Sequence, residues 1–247
     1  MVGMVGTGSN DCSCGRQLAL DFQWDERFDF AGFVAGPNAE AVAALELIGK
    51  GDRRRVIYLY GEPGVGKSHL LQAACGEASA WGRAVVYLPL RQLVNRSPRL
   101  LQELEGVDVV ALDDLDCLTK AIEWQQAAFH LFNRLQDAGR ELLMAGPRRP
   151  AKLGLALPDL VSRLQGVLVL RLEKLGDEDN VLALSRRAQR RGLELPKATA
   201  RYLLNHCRRD TGYFFQLLDK FDAASLQAQR RLTVPFVKKV LAEANND

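Results

Sequence analysis

Apolar residues in this chain form two kinds of run. Short, nearly unbroken stretches at 56–60, 84–88, 107–114, 141–146 and 167–172 predict β-strands. The run at 107–114 is apolar almost throughout before it ends in two carboxylates, as expected of a strand buried in a parallel sheet. Between the strands the spacing changes to a helical period. Ala41, Leu45 and Ile48 share one face of a helix over 39–48, and Trp124, Ala128, Leu131 and Leu135 share a face over 122–136. Further helices are predicted from His69 through Cys75, over 90–104 with a possible break at Pro98, and over 158–164. Beyond Gly176 no strand pattern appears. Helices are predicted at 177–191, from Pro196, at 214–229 and at 234–244. The first has acids in its opening turn and arginines in its last, matching the helix dipole. The expected architecture is an α/β domain with a parallel sheet flanked by helices, spanning 28–174, followed by a small all-α domain over 175–247. Residues 1–27 are expected to be a tail, without periodicity over the first fifteen.

Composition narrows the class only a little. The 247 residues are 47% apolar and 26% charged, ordinary for a globular protein with a sizeable core. A net charge of +3 argues against a general polyanion binder. Five cysteines, at 12, 14, 75, 117 and 207, are odd in number and irregularly spaced. Cys12 and Cys14 have no second Cys or His pair nearby, so no zinc site is expected. No leader pattern opens the chain and no apolar run reaches the length of a membrane span. A reduced, cytoplasmic protein is expected.

The informative stretch follows the first strand. Gly61-x-x-x-x-Gly66-Lys67-Ser68 stands between an apolar strand and a helix start, where a P-loop must be. Gly61, Pro63, Gly64, Val65 and Gly66 would let backbone N–H groups close around phosphate oxygens at a helix N-terminus. Lys67 would reach the β- and γ-phosphates, and Ser68 would ligate Mg²⁺. Asp113 and Asp114, ending the buried strand, fit the Walker B pattern. Asp113 would hold the Mg²⁺ shell and Asp114 would polarise water. In the tail, Gln17-Leu18-Ala19-Leu20-Asp21-Phe22 reads either as a docking peptide or as a first strand packing on the domain. Arg186, Arg187, Arg190 and Arg191 share one side of a helix, either as a solvated face or as a contact for DNA phosphates or acidic protein. His69, His130 and His206 suggest no chemistry of their own.

A P-loop, paired carboxylates and a following helical domain together resemble the AAA+ family, which couples an α/β nucleotide base to an α-helical lid. Within it the chain is similar to the DnaA/Hda branch. Phe33-Val34-x-Gly36-x-x-Asn38 resembles that branch's adenine-side loop, and Ser68-His69-Leu70-Leu71 its P-loop continuation. A second Asp at 114 in place of the usual Glu is typical of DnaA. The stretches 154–164, 177–179, 191–196 and 228–238 are similar to the Hda group, so the resemblance covers about residues 17–245. It implies binding of ADP or ATP with Mg²⁺, with Phe33, Val34, Asn38 and His69 on the nucleotide. It implies that Gln17, Leu18, Leu20 and Phe22 bind the sliding clamp (the β subunit of DNA polymerase III), and DNA through it. It implies that Arg163 is an arginine finger acting in trans on ATP held by DnaA, with DnaA as partner and homo-oligomers also compatible.

Two departures from the family pattern shape the expectation. The end of the fourth strand, Met144-Ala145-Gly146-Pro147, offers no polar sensor 1 residue. Gly212 stands where the lid would supply a sensor 2 arginine, with Arg208 and Arg209 nearby. The chain is therefore expected to hold nucleotide as a conformational ligand and to turn it over slowly. The chain also ends with the lid and has no amino-terminal interaction domain, which argues against an initiator in its own right. A helicase loader or transposition ATPase, and a clamp-tethered adaptor without catalytic role, stay open as alternatives.

Overall fold

The computed structural model describes residues 28–50, 56–102, 104–206, 217, 218, 221 and 232–244. The tail with its Gln17–Phe22 peptide, Arg53, Arg54 and Arg55, Cys12, Cys14 and Cys207, residues 208–213 and most of the predicted helix 214–229 lie outside the described residues.

Five strands build one sheet: β1 (Val56–Tyr60), β2 (Val85–Pro89), β3 (Val109–Asp113), β4 (Glu141–Gly146) and β5 (Leu168–Arg171). All pairings are parallel and the order is β2-β3-β4-β1-β5. Every residue of β3 and β4 is buried, as their apolar runs predict. Alternate side chains pack on opposite faces. Ile57, Leu59, Val109, Ala111, Leu143 and Ala145 meet α1 (Ala39–Gly49) and α2 (Lys67–Ala80). On the other face, Tyr58, Val110, Leu112, Leu142 and Met144 meet α3 (Leu90–Leu93), α4 (Ile122–Asp137) and α5 (Pro158–Gln165).

The helix expected over 90–104, with a possible break at Pro98, is indeed broken. Helix α3 stops at Leu93, and only a 3₁₀ turn forms over Pro98–Leu101. Proline lacks the N–H a continuing helix needs and biases the residue before it to extended backbone. Ser97 is extended accordingly, and its hydroxyl caps the new turn by accepting from the Arg99 N–H at 3.3 Å.

The lid has its own core, in which Val181, Leu184, Leu203, Leu218, Phe221 and Val237 are buried together. They come from α6 (Asp177–Arg190), α7 (Lys197–His206), α8 (Val234–Ala244) and the described part of 214–229. A buried amide ties the start of the base to the strand that leads into the lid. Asn38 donates to the Glu173 carbonyl at 3.0 Å and accepts from the Glu173 N–H at 2.7 Å.

Candidate nucleotide-binding site

Strand β1 lies inside the sheet between β4 and β5 and delivers the P-loop at its carboxyl end. Gly61 leaves no room for a side chain, because a Cβ there would lie 2.5 Å from the Leu172 carbonyl oxygen. Gly66, the residue before α2, has φ of 99°, and a Cβ on it would lie 2.5 Å from the Phe33 ring. The loop thus requires glycine for close approach at Gly61 and for left-handed backbone at Gly64, with φ of 80°, and at Gly66. A loop of this kind can present backbone N–H groups to the space before α2, where the helix adds partial positive charge. The Lys67 ammonium bonds the Gly61 and Glu62 carbonyls at 2.8 and 2.9 Å, so it is already folded inside the loop. Burial lowers its pKa, and Asp113, Asp114 and Asp116 oppose that shift.

Behind the loop, Asp113 is 2% exposed. Its Oδ1 accepts from the Asp114 N–H at 2.9 Å, its Oδ2 from the Tyr87 hydroxyl at 2.7 Å, and the Ser68 hydroxyl also bonds it. Burial pushes its carboxyl up, and the two hydroxyls pull it partly back. Asp114 is the one non-glycine residue with positive φ among the described residues, at 57°. Asp114 lines the cavity, and its carboxylate is held by Arg91 Nε at 2.9 Å.

The cavity in front of the P-loop has a volume of about 880 Å³ and is closed on its far side by the lid. Phe33, Val34, Pro63, Gly64, Val65, Gly66, Lys67, Ser68, His69 and Asp114 line it. Asn38 and Asp113 are not among the lining residues. Asn38 was expected on the nucleotide, yet its amide is committed to Glu173. A buried Asn must satisfy both its donor and its acceptor, and the Glu173 backbone does so at once.

The lid contributes arginines that their spacing grouped on one helix side but did not place at the nucleotide cavity. Arg187, Arg190 and Arg191 line the cavity, which assigns most of the arginine cluster to the base–lid joint. The Arg187 guanidinium lies 4.9 Å from the Phe28 ring centroid, and Arg190 forms an ion pair with Asp29. His69 completes this corner. Its ring meets Phe28 and Phe33 edge-on, at 5.0 and 5.2 Å between centroids, and its Nε2 bonds the Asp29 carbonyl at 2.8 Å. A carbonyl only accepts, so Nε2 carries the proton. His69 therefore fixes the adenine-side loop to the start of α2.

That position has a measurable consequence. Burial lowers the His69 pKa from 6.5 to about 4. The unfolded chain binds this proton first, so the stabilising neutral state is complete above about pH 6.5 and is lost as pH falls toward 4. The linkage is on the order of 3 kcal/mol. His69→Phe, which keeps an aromatic ring, is expected to flatten the decline of the unfolding midpoint between pH 6.5 and 4. An unchanged pH profile would contradict this role.

Arg163 is not at this site. It is exposed near the carboxyl end of α5, which feeds β5 where Leu168 pairs with Ile57 at the start of β1. The groove beside it is lined by Val56 and Leu168, the first residues of β1 and β5, and by Gly139 in the turn before β4. The P-loop leaves from the other end of β1, about 13 Å of strand away. At the end of β4, the space a Gly146 side chain would need is occupied by the Tyr58 hydroxyl, which donates to the Arg148 carbonyl at 2.8 Å.

A P-loop after an interior strand of a parallel sheet, paired carboxylates at the end of β3 and a helical lid over the nucleotide cavity define an AAA+ protein. Residues 24–171 match the family described as the bacterial DnaA ATPase domain, and residues 177–241 match the Hda lid domain. The first match spans more than half of the chain, which therefore belongs to the bacterial DnaA ATPase-domain family and carries an Hda-type lid. This places it among the AAA+ proteins of replication initiation. Among solved structures it is similar to domain III of the Thermotoga maritima replication initiation protein DnaA, at 24% identity and a TM-score of 0.77, covering 89% of this chain and 98% of that one. AMPPCP-bound DnaA from Aquifex aeolicus aligns at 24% identity and a TM-score of 0.71, over 90% and 71% of the two chains. The RuvB Holliday junction branch migration motor of Thermotoga maritima shares the fold at 19% identity and a TM-score of 0.64, over 85% and 69%. No helix among the described residues is long and apolar enough to cross a membrane.

Proposed function

We propose that this chain is a nucleotide-holding regulator of replication initiation that stimulates, in trans, hydrolysis of ATP bound to a DnaA protein. The observation that carries this reading is the position of Arg163. It is exposed, has no ion-pair partner among the described residues, and stands at the end of the sheet away from its own P-loop. An arginine there cannot serve the chain's own nucleotide, but it can be offered to a neighbour's. A guanidinium placed on a transferring γ-phosphoryl stabilises its charge and contributes roughly 10³–10⁵ in rate.

The chain's own site suits a retained ligand. AMPPCP in the Aquifex aeolicus DnaA structure supports ATP or ADP as that ligand. The glycine-only cradle at Gly61 and Gly66 fits phosphate, and Ser68 with Asp113 supplies hard oxygen donors of the kind Mg²⁺ prefers. Bound there, Mg²⁺ would neutralise phosphate charge. Lys67 would hold the β- and γ-phosphates, and Phe33 and Val34 would flank the base. Asp114 would polarise water, but its bond to Arg91 and the apolar end of β4 favour slow turnover. The peptide Gln17, Leu18, Leu20 and Phe22 would dock on a sliding clamp and so confine the encounter to clamp-loaded DNA.

The deciding experiment follows hydrolysis of DnaA-bound ATP with this protein, with and without DNA-loaded clamp. Acceleration that needs both is expected. No acceleration under either condition would overturn the proposal, and acceleration independent of the clamp would remove its clamp component.

A further inference from the structure

We propose that Tyr87 is a positioning residue for the divalent cation: its hydroxyl sets the orientation of the Asp113 carboxylate that the cation would use. This rests on the reading of Asp113 and Ser68 as a Mg²⁺ site.

The sequence marks Tyr87 only as one more apolar residue of a strand, and it packs within the core between the sheet and α2. The register gives it another task. Tyr87 pairs with Ala111, and Asp113 lies two residues further along β3 on the same face. With strands about 4.8 Å apart and a rise of about 3.3 Å per residue, such diagonal neighbours are about 8 Å apart at the backbone, within reach of an aromatic side chain. A tyrosine spans that gap and brings a donor to its end, whereas an aliphatic residue would leave the carboxylate short of a partner.

The hydroxyl lies 2.7 Å from Asp113 Oδ2, and a carboxylate can only accept, so the tyrosine proton points at Asp113. Gln72 Nε2 approaches the same hydroxyl from α2 at 3.5 Å, on the side of its lone pairs. Ser68 and Gln72 are four residues apart on α2 and so share a helix face. One bonds Asp113 and the other faces Tyr87. With the Asp114 N–H on Oδ1, the carboxylate is fixed from the helix, from the neighbouring strand and from its own backbone. Mg²⁺ demands near-ideal octahedral geometry, so the orientation of an oxygen donor enters directly into its affinity.

Tyr87→Phe removes the donor and keeps the ring. The test measures ADP affinity by calorimetry in Mg²⁺ and in EDTA, for the parent protein, Tyr87→Phe and Asp113→Asn. Parent protein is expected to bind ADP more tightly with Mg²⁺, and Asp113→Asn to lose that gain. Tyr87→Phe is expected to match the parent in EDTA while losing about tenfold or more of the Mg²⁺-linked gain. Equal losses in both buffers would mean that the hydroxyl only supports packing, and a full Mg²⁺ gain in Tyr87→Phe would also overturn the assignment. If Asp113→Asn keeps the gain, or the parent shows none, the Asp113 reading fails and the Tyr87 proposal with it.

Discussion

Arg163→Ala is expected to lower stimulated hydrolysis of DnaA-bound ATP by about 10³-fold or more, to the unstimulated rate, while leaving ADP affinity unchanged. The two halves follow from one geometric fact. Arg163 belongs to the end of the sheet where α5 hands over to β5, and the P-loop belongs to the opposite end of β1. Its removal therefore withdraws a charge from a neighbour's phosphate without touching the chain's own cavity, whose lining does not include it. The side chain is exposed, so truncation should move stability by no more than about 0.5 kcal/mol. Arg163→Lys is expected to restore little, because an ammonium lacks the planar fork that engages two phosphate oxygens. Retained stimulation in Arg163→Ala would sink the finger assignment. Lost ADP affinity would show instead that Arg163 acts within its own subunit.

How much of this was legible beforehand depends on how local each feature is. The P-loop and β3 were readable because their chemistry is contiguous: an apolar strand runs directly into glycines, or into Asp113 and Asp114. The parallel sheet with helices on both faces follows the same logic, since unbroken apolar runs need cover on both faces, whereas nothing in the runs gives the strand order. The break expected at Pro98 within 90–104 is present, with Ser97 extended before it, but α3 stops earlier, at Leu93, which the helical spacing did not show. Features that depend on tertiary approach were invisible. Arg190 meets Asp29 across 161 positions and Asn38 meets Glu173 across 135, and no spacing rule connects them. Tyr87 is an intermediate case. Its strand was legible, but the partner of its hydroxyl depends on a pairing register between strands that sequence alone does not supply.

The Lys67 ammonium already occupies the P-loop, held by the Gly61 and Glu62 carbonyls, in a position where burial works against its charge. A polyphosphate would replace those neutral acceptors with anionic ones and relieve that penalty, so most of the gain from Lys67 should appear only with ligand. Lys67→Ala is accordingly expected to cost about 3–4 kcal/mol of ADP binding, roughly 10²–10³-fold in affinity. The unliganded protein should lose far less, about 1 kcal/mol for two carbonyls that can turn to water. Thermal unfolding separates the two effects. At ADP near 100 times the parent dissociation constant, ligand stabilises the parent by about 2.7 kcal/mol. With affinity 10³-fold weaker, the same ADP would contribute about 0.1 kcal/mol or less, and the ligand-induced shift would vanish. A full shift in Lys67→Ala would mean that phosphate is held elsewhere in the cavity. The arginines that α6 brings to its wall would then be the groups to test, because they are the other cations lining it beside Lys174.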